Sequence, residues 1–136
     1  MATLRLEIVT PEATAYSEDV DFVTLPGTEG EFGVYPKHVP LLTAIKPGEL
    51  RVLKNGQETF LAIGEGFAEI RADAVSVLTD MALEPEQIDT AAAEAAVERA
   101  KAAMKEDHTG EQVAAVQASL QKALAQLHVK RRRRQG

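Results

Sequence analysis

Residues 25–42, LPGTEGEFGVYPKHVPLL, combine glycines, acids and a histidine, all of which can take part in chemistry. Gly27, Gly30 and Gly33 recur at every third position, and regularly spaced glycines occur in loops that bind phosphate. Such a loop opens a helix and usually carries a Lys followed by Ser or Thr, because helix amides and the lysine hold the anion. Here Pro36 prevents a long helix, no Lys-Ser/Thr pair follows, and two glutamates in the loop would repel phosphate. The glycines are therefore predicted to provide positive φ angles or close chain approach.

The remaining candidates for catalysis or metal binding do not form a recognisable site. Glu29 and Glu31 would need a cleft with two different environments to act as a catalytic pair, so an exposed acidic tip that contacts a partner is expected. His38, His108 and His128 lack ligand spacing, and the chain has no cysteine. His38, between two prolines, is either a fixed interface contact or a packed loop residue. No nucleophile elbow or triad is present, so we expect a protein that is not an enzyme and has no metal or cofactor.

Charge divides the chain into two unequal parts. Residues 1–88 carry 15 acidic and 6 basic side chains, whereas residues 89–136 carry 6 acidic and 9 basic ones. Much of the positive charge lies in KRRRR, residues 130–134. This run is a solvated disordered tail, a nucleic-acid contact or a segment that docks on an acidic protein surface. The acidic remainder and the absence of aromatic residues from the run argue against nucleic acid as a partner.

The first part of the chain has the periodicity of β-strands. Leu4, Leu6 and Ile8 alternate with polar neighbours, and Asn55-Gly56 separates two apolar runs as a tight hairpin turn requires. Short strands separated by frequent turns predict an antiparallel β sandwich or flattened barrel over residues 1–84.

After Pro85 an alanine-rich composition predicts two helices, so the fold class is α+β with a C-terminal helical hairpin over residues 85–136. DHTG interrupts the helical pattern, and Thr109 with Gln112 fits a capping box at the start of the second helix. The predicted apolar stripes are Ala93, Ala96, Val97, Ala100, Ala103 and Met104, then Val113, Val116, Leu120, Leu124 and Leu127. Because alanine buries little area, the hairpin is expected to dock weakly and to detach easily, although a simply docked hairpin fits the composition equally well.

Neither a signal peptide nor a membrane-spanning segment is recognisable in the sequence. If the protein works at a membrane, we expect a partner to hold it there.

Three stretches resemble one known family, the epsilon subunit of bacterial F-type ATP synthase. LPGTEGEFGVYPKHVPLLTAIKPGEL (25–50) is similar to its signature region, GEGFAEIRADAVSVLTD (64–80) to its next strands, and ALAQLHVK (123–130) to its last helix. The resemblance implies a non-catalytic rotor subunit at the cytoplasmic face of the membrane, bound to the gamma subunit and the c-ring. It also implies that the hairpin can extend into the ring of alpha and beta catalytic subunits and restrain ATP hydrolysis.

The resemblance assigns residues to each of these contacts. It implies a c-ring contact at Glu29, Gly30, Glu31 and Phe32, and a gamma contact at His38. For inhibition it implies basic residues of the last helix, namely Lys122, Lys130, Arg131, Arg132, Arg133 and Arg134.

Nucleotide binding is where this chain departs from the family pattern. Some members bind ATP through an Ile/Leu-Asp-x-x-Arg-Ala motif at the start of the hairpin. Ile88 and Asp89 match it, but Ala92 replaces the arginine, whose charge-assisted contacts alanine cannot make. We therefore expect no strong ATP binding, with Arg99 as the residue that would partly compensate.

Overall fold

A computed structural model of the protein describes residues 2–106 and 109–135, with side chains described as far as Arg132. In these residues the strands are β1 (Leu4–Val9), β2 (Thr14–Val20), β3 (Phe22–Gly27), β4 (Gly30–Val34), β5 (Leu41–Ile45), β6 (Gly48–Lys54), β7 (Gln57–Ile63), β8 (Gly66–Ile70), β9 (Ala74–Thr79) and β10 (Ala82–Leu83). A 3₁₀ turn at Pro85–Gln87 leads to helices α1 (Thr90–Ala103) and α2 (Gly110–Gln135).

The strands form a nearly closed β sandwich. Their order is β10-β7-β6-β3-β5-β8-β9-β1-β2, with β4 added to β3. Pairing is antiparallel except between β1 and β9, which are parallel. The end strand β2 closes against the interior strand β6, where Lys54 of β6 pairs with Glu18 of β2 at 2.5 Å and Asp21 accepts from the Asn55 amide at 2.9 Å. The predicted fold class is confirmed.

The core lies between the two layers and is aliphatic, as the alternating pattern predicts. Leu4, Leu6 and Ile8 of β1 are buried, as are Leu50 and Val52 of β6. The polar residues between them face outward, so each strand contributes one buried row. Outward positions are therefore where partner contacts must be sought.

Turn chemistry explains the predicted hairpin. Asn55 and Gly56 have φ angles of 52° and 78°, and Lys54 pairs with Gln57 across the turn. Two successive positive φ angles are the geometry of a type I′ turn, which matches the twist of the strands.

Each helix begins at a side-chain cap. The Asp89 carboxylate accepts from the Ala92 amide at 3.0 Å. Thr109 and Gln112 form the predicted capping box, with their reciprocal bonds at 2.9 and 3.3 Å. These contacts satisfy amides that the first turn of a helix leaves without partners.

Helix α2 lies between α1 and the sheet, so the predicted apolar face is only one of the two faces that it buries: Leu120 and Leu127 face α1 as predicted. Leu127 and Ala123 pack against α1, whereas Ala125 and Val129 pack against the sheet near Ala62. Three of the predicted stripe residues, Met104, Val113 and Leu124, are instead exposed. The small alanines allow both neighbours to approach α2 closely, but they do not form the stripe of large apolar side chains that indicates a buried face.

Candidate functional site

The acidic tip is the turn of the β3–β4 hairpin, residues 28–31. Gly27 pairs with Gly30, and Pro26 with Glu31, so Thr28 and Glu29 form the end of the hairpin. Glu29 and Glu31 are both exposed, and Phe32 is half-buried against the core. The Glu31 carboxylate accepts from Nη2 of Arg51 on β6, with the closer oxygen at 3.1 Å. The tip thus presents one acid without a described ion pair, Glu29, and one that is already paired.

The three glycines of this region have structural roles. A Cβ on Gly27 would lie 2.8 Å from the Gly30 carbonyl oxygen, and one on Gly33 would enter the ring of Phe22. Gly30 has a φ of 128°, a conformation that side chains other than hydrogen rarely adopt. The loop therefore joins two strands and does not open a helix, as the residue types predict.

A second surface is the outer apolar face, formed by Leu42, Phe67 and Leu78. Phe67 of β8 lies beside Leu78 of β9 and Ala44 of β5, and Leu42 is two residues from Ala44 on the same side of β5. Leu42, Phe67 and Leu78 are 69%, 57% and 58% exposed. Contiguous exposed apolar side chains make this face a candidate for contact with another macromolecule.

His38 lies in the loop between β4 and β5, four residues before Leu42 of this face. Its side chain is half-buried, and Nδ1 donates to the carbonyl oxygen of Val39 at 2.6 Å. The Lys37 amide donates to the Ala72 carbonyl at 2.5 Å, which fixes the loop to the β8–β9 turn. Neighbouring Tyr35 and Val39 are exposed, so the loop carries two further apolar side chains beside the histidine.

The basic residues of α2 form the third candidate surface, and the sandwich and the 3₁₀ turn after it bind several of them. Lys122 pairs with Asp80 at 3.2 Å. Lys130 donates to the carbonyl oxygen of Pro85 at 2.8 Å. Because α2 is helical through this segment, the disordered-tail interpretation of Lys130–Arg132 is wrong.

Arg132 makes the most buried of these contacts. Its Nε donates to Glu49 Oε2 at 2.6 Å, and its guanidinium lies 5.0 Å from the centre of the Phe60 ring. The Glu49 side chain is only 7% exposed, and His128 Nε2 lies 3.4 Å from the same oxygen. Charge-assisted hydrogen bonds to a carboxylate that water hardly reaches are strong, so Glu49 ties the end of α2 to the sheet.

Three other basic residues belong to the predicted inhibitory set. Arg131 is exposed on the neighbouring side of α2. Arg133 and Arg134 belong to α2, but their side chains lie outside the described part of the structure.

The structure does not bring the three nucleotide candidates together. Ile88 is buried beside Ala125 and Val129, and Asp89 caps α1. Arg99 is exposed ten residues further along the chain from Asp89, about 15 Å at the rise of an α-helix. Ile88 and Asp89 therefore have local structural roles, and Arg99 lies on a separate part of the hairpin.

Sequence reasoning missed two residues of β6. Glu49 contacts α2, and Arg51 contacts Glu31 of the acidic tip. Their alternation with buried Leu50 and Val52 indicates that they point outward. The alternation carries no information on which distant helix covers them, so the contact with Arg132 was not predictable from the strand alone.

Within the described ranges, no helix is both long and apolar enough to cross a membrane. In the same residues no three His, Cys, Asp or Glu side chains are grouped so that they could hold a metal ion.

Comparison with known families gives matches over nearly the whole chain. The family described as ATP synthase, Delta/Epsilon chain, beta-sandwich domain matches residues 3–85. The family described as ATP synthase, Delta/Epsilon chain, long alpha-helix domain matches residues 86–131.

Relatives and solved structures agree with these matches. The ATP synthase epsilon chain of Laribacter hongkongensis is 44% identical over 129 residues, covering 93% of this chain and 92% of the relative. That of Dehalococcoides mccartyi is 44% identical over 135 residues, covering 98% and 96%. A chain in the cryo-EM structure of Euglena gracilis mitochondrial ATP synthase, OSCP/F1/c-ring, has a TM-score of 0.79 at 24% identity, covering 94% of this chain and 81% of that one. This last likeness concerns the fold.

Proposed function

Since the chain belongs to the ATP synthase delta/epsilon chain family, we propose that it is a non-catalytic subunit of the rotor that joins the gamma subunit to the c-ring. In this proposal residues 1–84 bind both partners, and residues 85–136 regulate the enzyme. Neither part needs to span the membrane, so the subunit is peripheral and is held at the cytoplasmic face by its partners.

The outer apolar face carries the proposed gamma contact. Leu42, Phe67 and Leu78 are large, exposed and adjacent, and the described part of this chain leaves them uncovered. Covering them with a partner would stabilise the complex by roughly 25 cal/mol for each Å² of apolar area removed from water. His38, in the loop that precedes β5, would add a polar contact.

A pull-down with purified gamma subunit tests this contact. The unmodified chain should form a complex at low micromolar concentration, and Phe67→Glu should abolish it because a carboxylate would be buried at the interface. Leu124→Glu is the matched control, since Leu124 is also an exposed large apolar residue but lies on α2. Absence of a complex with the unmodified chain would refute the gamma contact.

The acidic tip carries the proposed c-ring contact. Glu29, Gly30, Glu31 and Phe32 form the end of a rigid β-hairpin that projects two carboxylates. Donors on the polar loops of a c-ring are suitable partners for such acids. Copurification of the ring with the chain should weaken in Glu31→Gln, and an unchanged yield would contradict this assignment.

The third proposed role is restraint of ATP hydrolysis by the alpha and beta subunits. In the docked hairpin Lys122 and Arg132 are bound to the sandwich and Lys130 to the 3₁₀ turn that follows it, so they become available to an acidic partner only when α2 leaves the sheet. Arg131, Arg133 and Arg134 extend the same basic segment.

Truncation at Glu86 in the assembled enzyme tests the inhibitory role. Hydrolysis should rise under conditions that expose inhibition, because the basic helix is gone. Equal hydrolysis with and without the hairpin would remove this part of the proposal and leave the gamma and c-ring contacts standing.

A further inference from the structure

Arg51 lies between the acidic tip and the C-terminal helix and contacts an acid on each side. Its Nη2 is 3.1 Å from Glu31 Oε2, and its Nε is 3.7 Å from Glu49 Oε1. Glu49 in turn accepts from Arg132 of α2 at 2.6 Å. The ionic relay formed by Glu31, Arg51, Glu49 and Arg132 thus runs from the β3–β4 turn to α2.

The geometry of the strands explains why these side chains meet. Glu49 and Arg51 are two residues apart on β6, so both project from the same face of the sheet. Arg51 pairs with Thr24 of β3, and Glu31 lies on the neighbouring strand β4, across from Pro26. Helix α2 packs on β6 and β7, which brings Arg132 to the same face.

One nitrogen in the relay has unused bonding capacity. Arg51 Nε is buried and, among the described residues, has no hydrogen-bond acceptor within bonding distance. It faces Glu49 at 3.7 Å, a distance that is too long for a hydrogen bond but short enough for a small rotation to close. The bond to Glu31 holds the guanidinium in its present position, so losing that bond leaves Arg51 free to turn towards Glu49.

We propose that this relay couples contact at the acidic tip to release of the helical hairpin. When a hydrogen-bond donor on a partner binds the Glu31 carboxylate, Arg51 turns and bonds to Glu49. Arg51 then competes with Arg132 for the Glu49 carboxylate. The positive charge on Arg51, no longer neutralised by Glu31, also repels Arg132. Helix α2 then leaves the sheet more often, and its basic residues become available.

The identity of the partner as the c-ring depends on the proposed function, but the relay is a property of this chain. It is therefore tested in the isolated full-length protein. If the labelling rates of the isolated protein do not change as expected, the relay is refuted and the proposed ring contact is unaffected. If Glu31→Gln does not weaken copurification with the ring, the ring contact is refuted and the relay is unaffected.

The test measures how often α2 leaves the sheet. The chain contains no cysteine, so Ala125→Cys introduces a single thiol. Position 125 is on the side of α2 that faces the sheet, and it is 6% exposed when the helix is docked. Its rate of reaction with a thiol reagent is proportional to the open fraction when closing is fast. Ala68→Cys, at a core position of the sandwich that is 0% exposed, reports global unfolding in a parallel series.

Two substitutions establish whether the relay holds the helix. Arg132→Gln should raise the labelling rate of the thiol at position 125 about tenfold, because it removes a charge-assisted bond to a buried carboxylate. Arg131→Gln, which changes the adjacent exposed arginine, is the matched control and should change the rate less than about twofold, the range of surface substitutions. Equal rates in the two variants would overturn the role of Arg132.

A double-mutant cycle tests the coupling itself. Glu31→Gln should raise the labelling rate at position 125 about threefold, and Glu29→Gln, which changes the neighbouring acid of the tip, should not. In an Arg51→Gln background the effect of Glu31→Gln should disappear, because the shared arginine is absent. If Glu31→Gln has no effect in the unmodified background, or the same effect in both backgrounds, the relay is refuted.

Discussion

Val129 provides the most direct perturbation of the contact between α2 and the sheet. It is fully buried and packs in one cluster with Ala62, Ile88 and Ala125. Val129→Ala removes two carbons from the interface without adding a polar group. Alanine is also the better helix former, so α2 itself is not weakened by the change.

The expected loss follows from the buried groups. Each buried methylene contributes about 0.8 kcal/mol, so two carbons account for about 1.6 kcal/mol of docking free energy. At about 1.36 kcal/mol for each factor of ten, this is about a 15-fold increase in the open fraction. A residual cavity would increase the loss further, because the surrounding side chains relax only partly.

Thiol labelling of Ala125→Cys measures this open fraction, with Leu124→Ala as the control. Leu124 is larger than Val129 but 41% exposed, so its truncation should change the rate by only about twofold. If Val129→Ala labels no faster than Leu124→Ala, this cluster does not hold the hairpin. If labelling of Ala68→Cys in the core speeds up equally, the opening is global unfolding and not release of the hairpin.

Two further predictions concern the sandwich. Gly33→Ala should lower the free energy of unfolding by roughly 1–3 kcal/mol in urea melts, because its Cβ would meet the Phe22 ring; Gly110→Ala, which meets no atom within 4 Å, should be nearly neutral, and equal losses would contradict the packing argument. A hydrogen bond from Lys54 lowers the pKa of Glu18 from 4.5, so the pair stabilises the fold above that pH and ceases to do so as acid protonates the carboxylate. Lys54→Met should therefore destabilise the protein near neutral pH and match the unmodified chain at about pH 2, and a difference that persists in acid would exclude Glu18 as the cause.

Local sequence patterns were sufficient to predict the sandwich and the position where α2 begins. The Asn55-Gly56 turn and the Thr109–Gln112 capping box form as predicted, because each depends on residues that are close in sequence. The alternation of β1 correctly identifies its buried row for the same reason.

The docking of α2 was not predictable in this way. Its position between α1 and the sheet depends on alanines such as Ala123 and Ala125, which allow close approach but produce no strong apolar stripe. The bond between Glu49 and Arg132 joins residues 83 positions apart, and it exists only because the fold brings β6 and α2 together. The acidic tip and the basic helix could thus be predicted as separate segments. The ion pairs that link them through β6 could not be predicted.

Site-specific photo-crosslinking in the assembled ATP synthase tests the proposed position of this subunit most directly. The photoreactive residue replaces Phe67 on the outer apolar face in one variant, Glu31 at the acidic tip in another, and exposed Glu58 on β7 as the control. We expect a crosslink to gamma from position 67 and to subunit c from position 31, with neither from position 58. Crosslinks from position 67 to subunits other than gamma, or none at all, would contradict the proposed rotor contact.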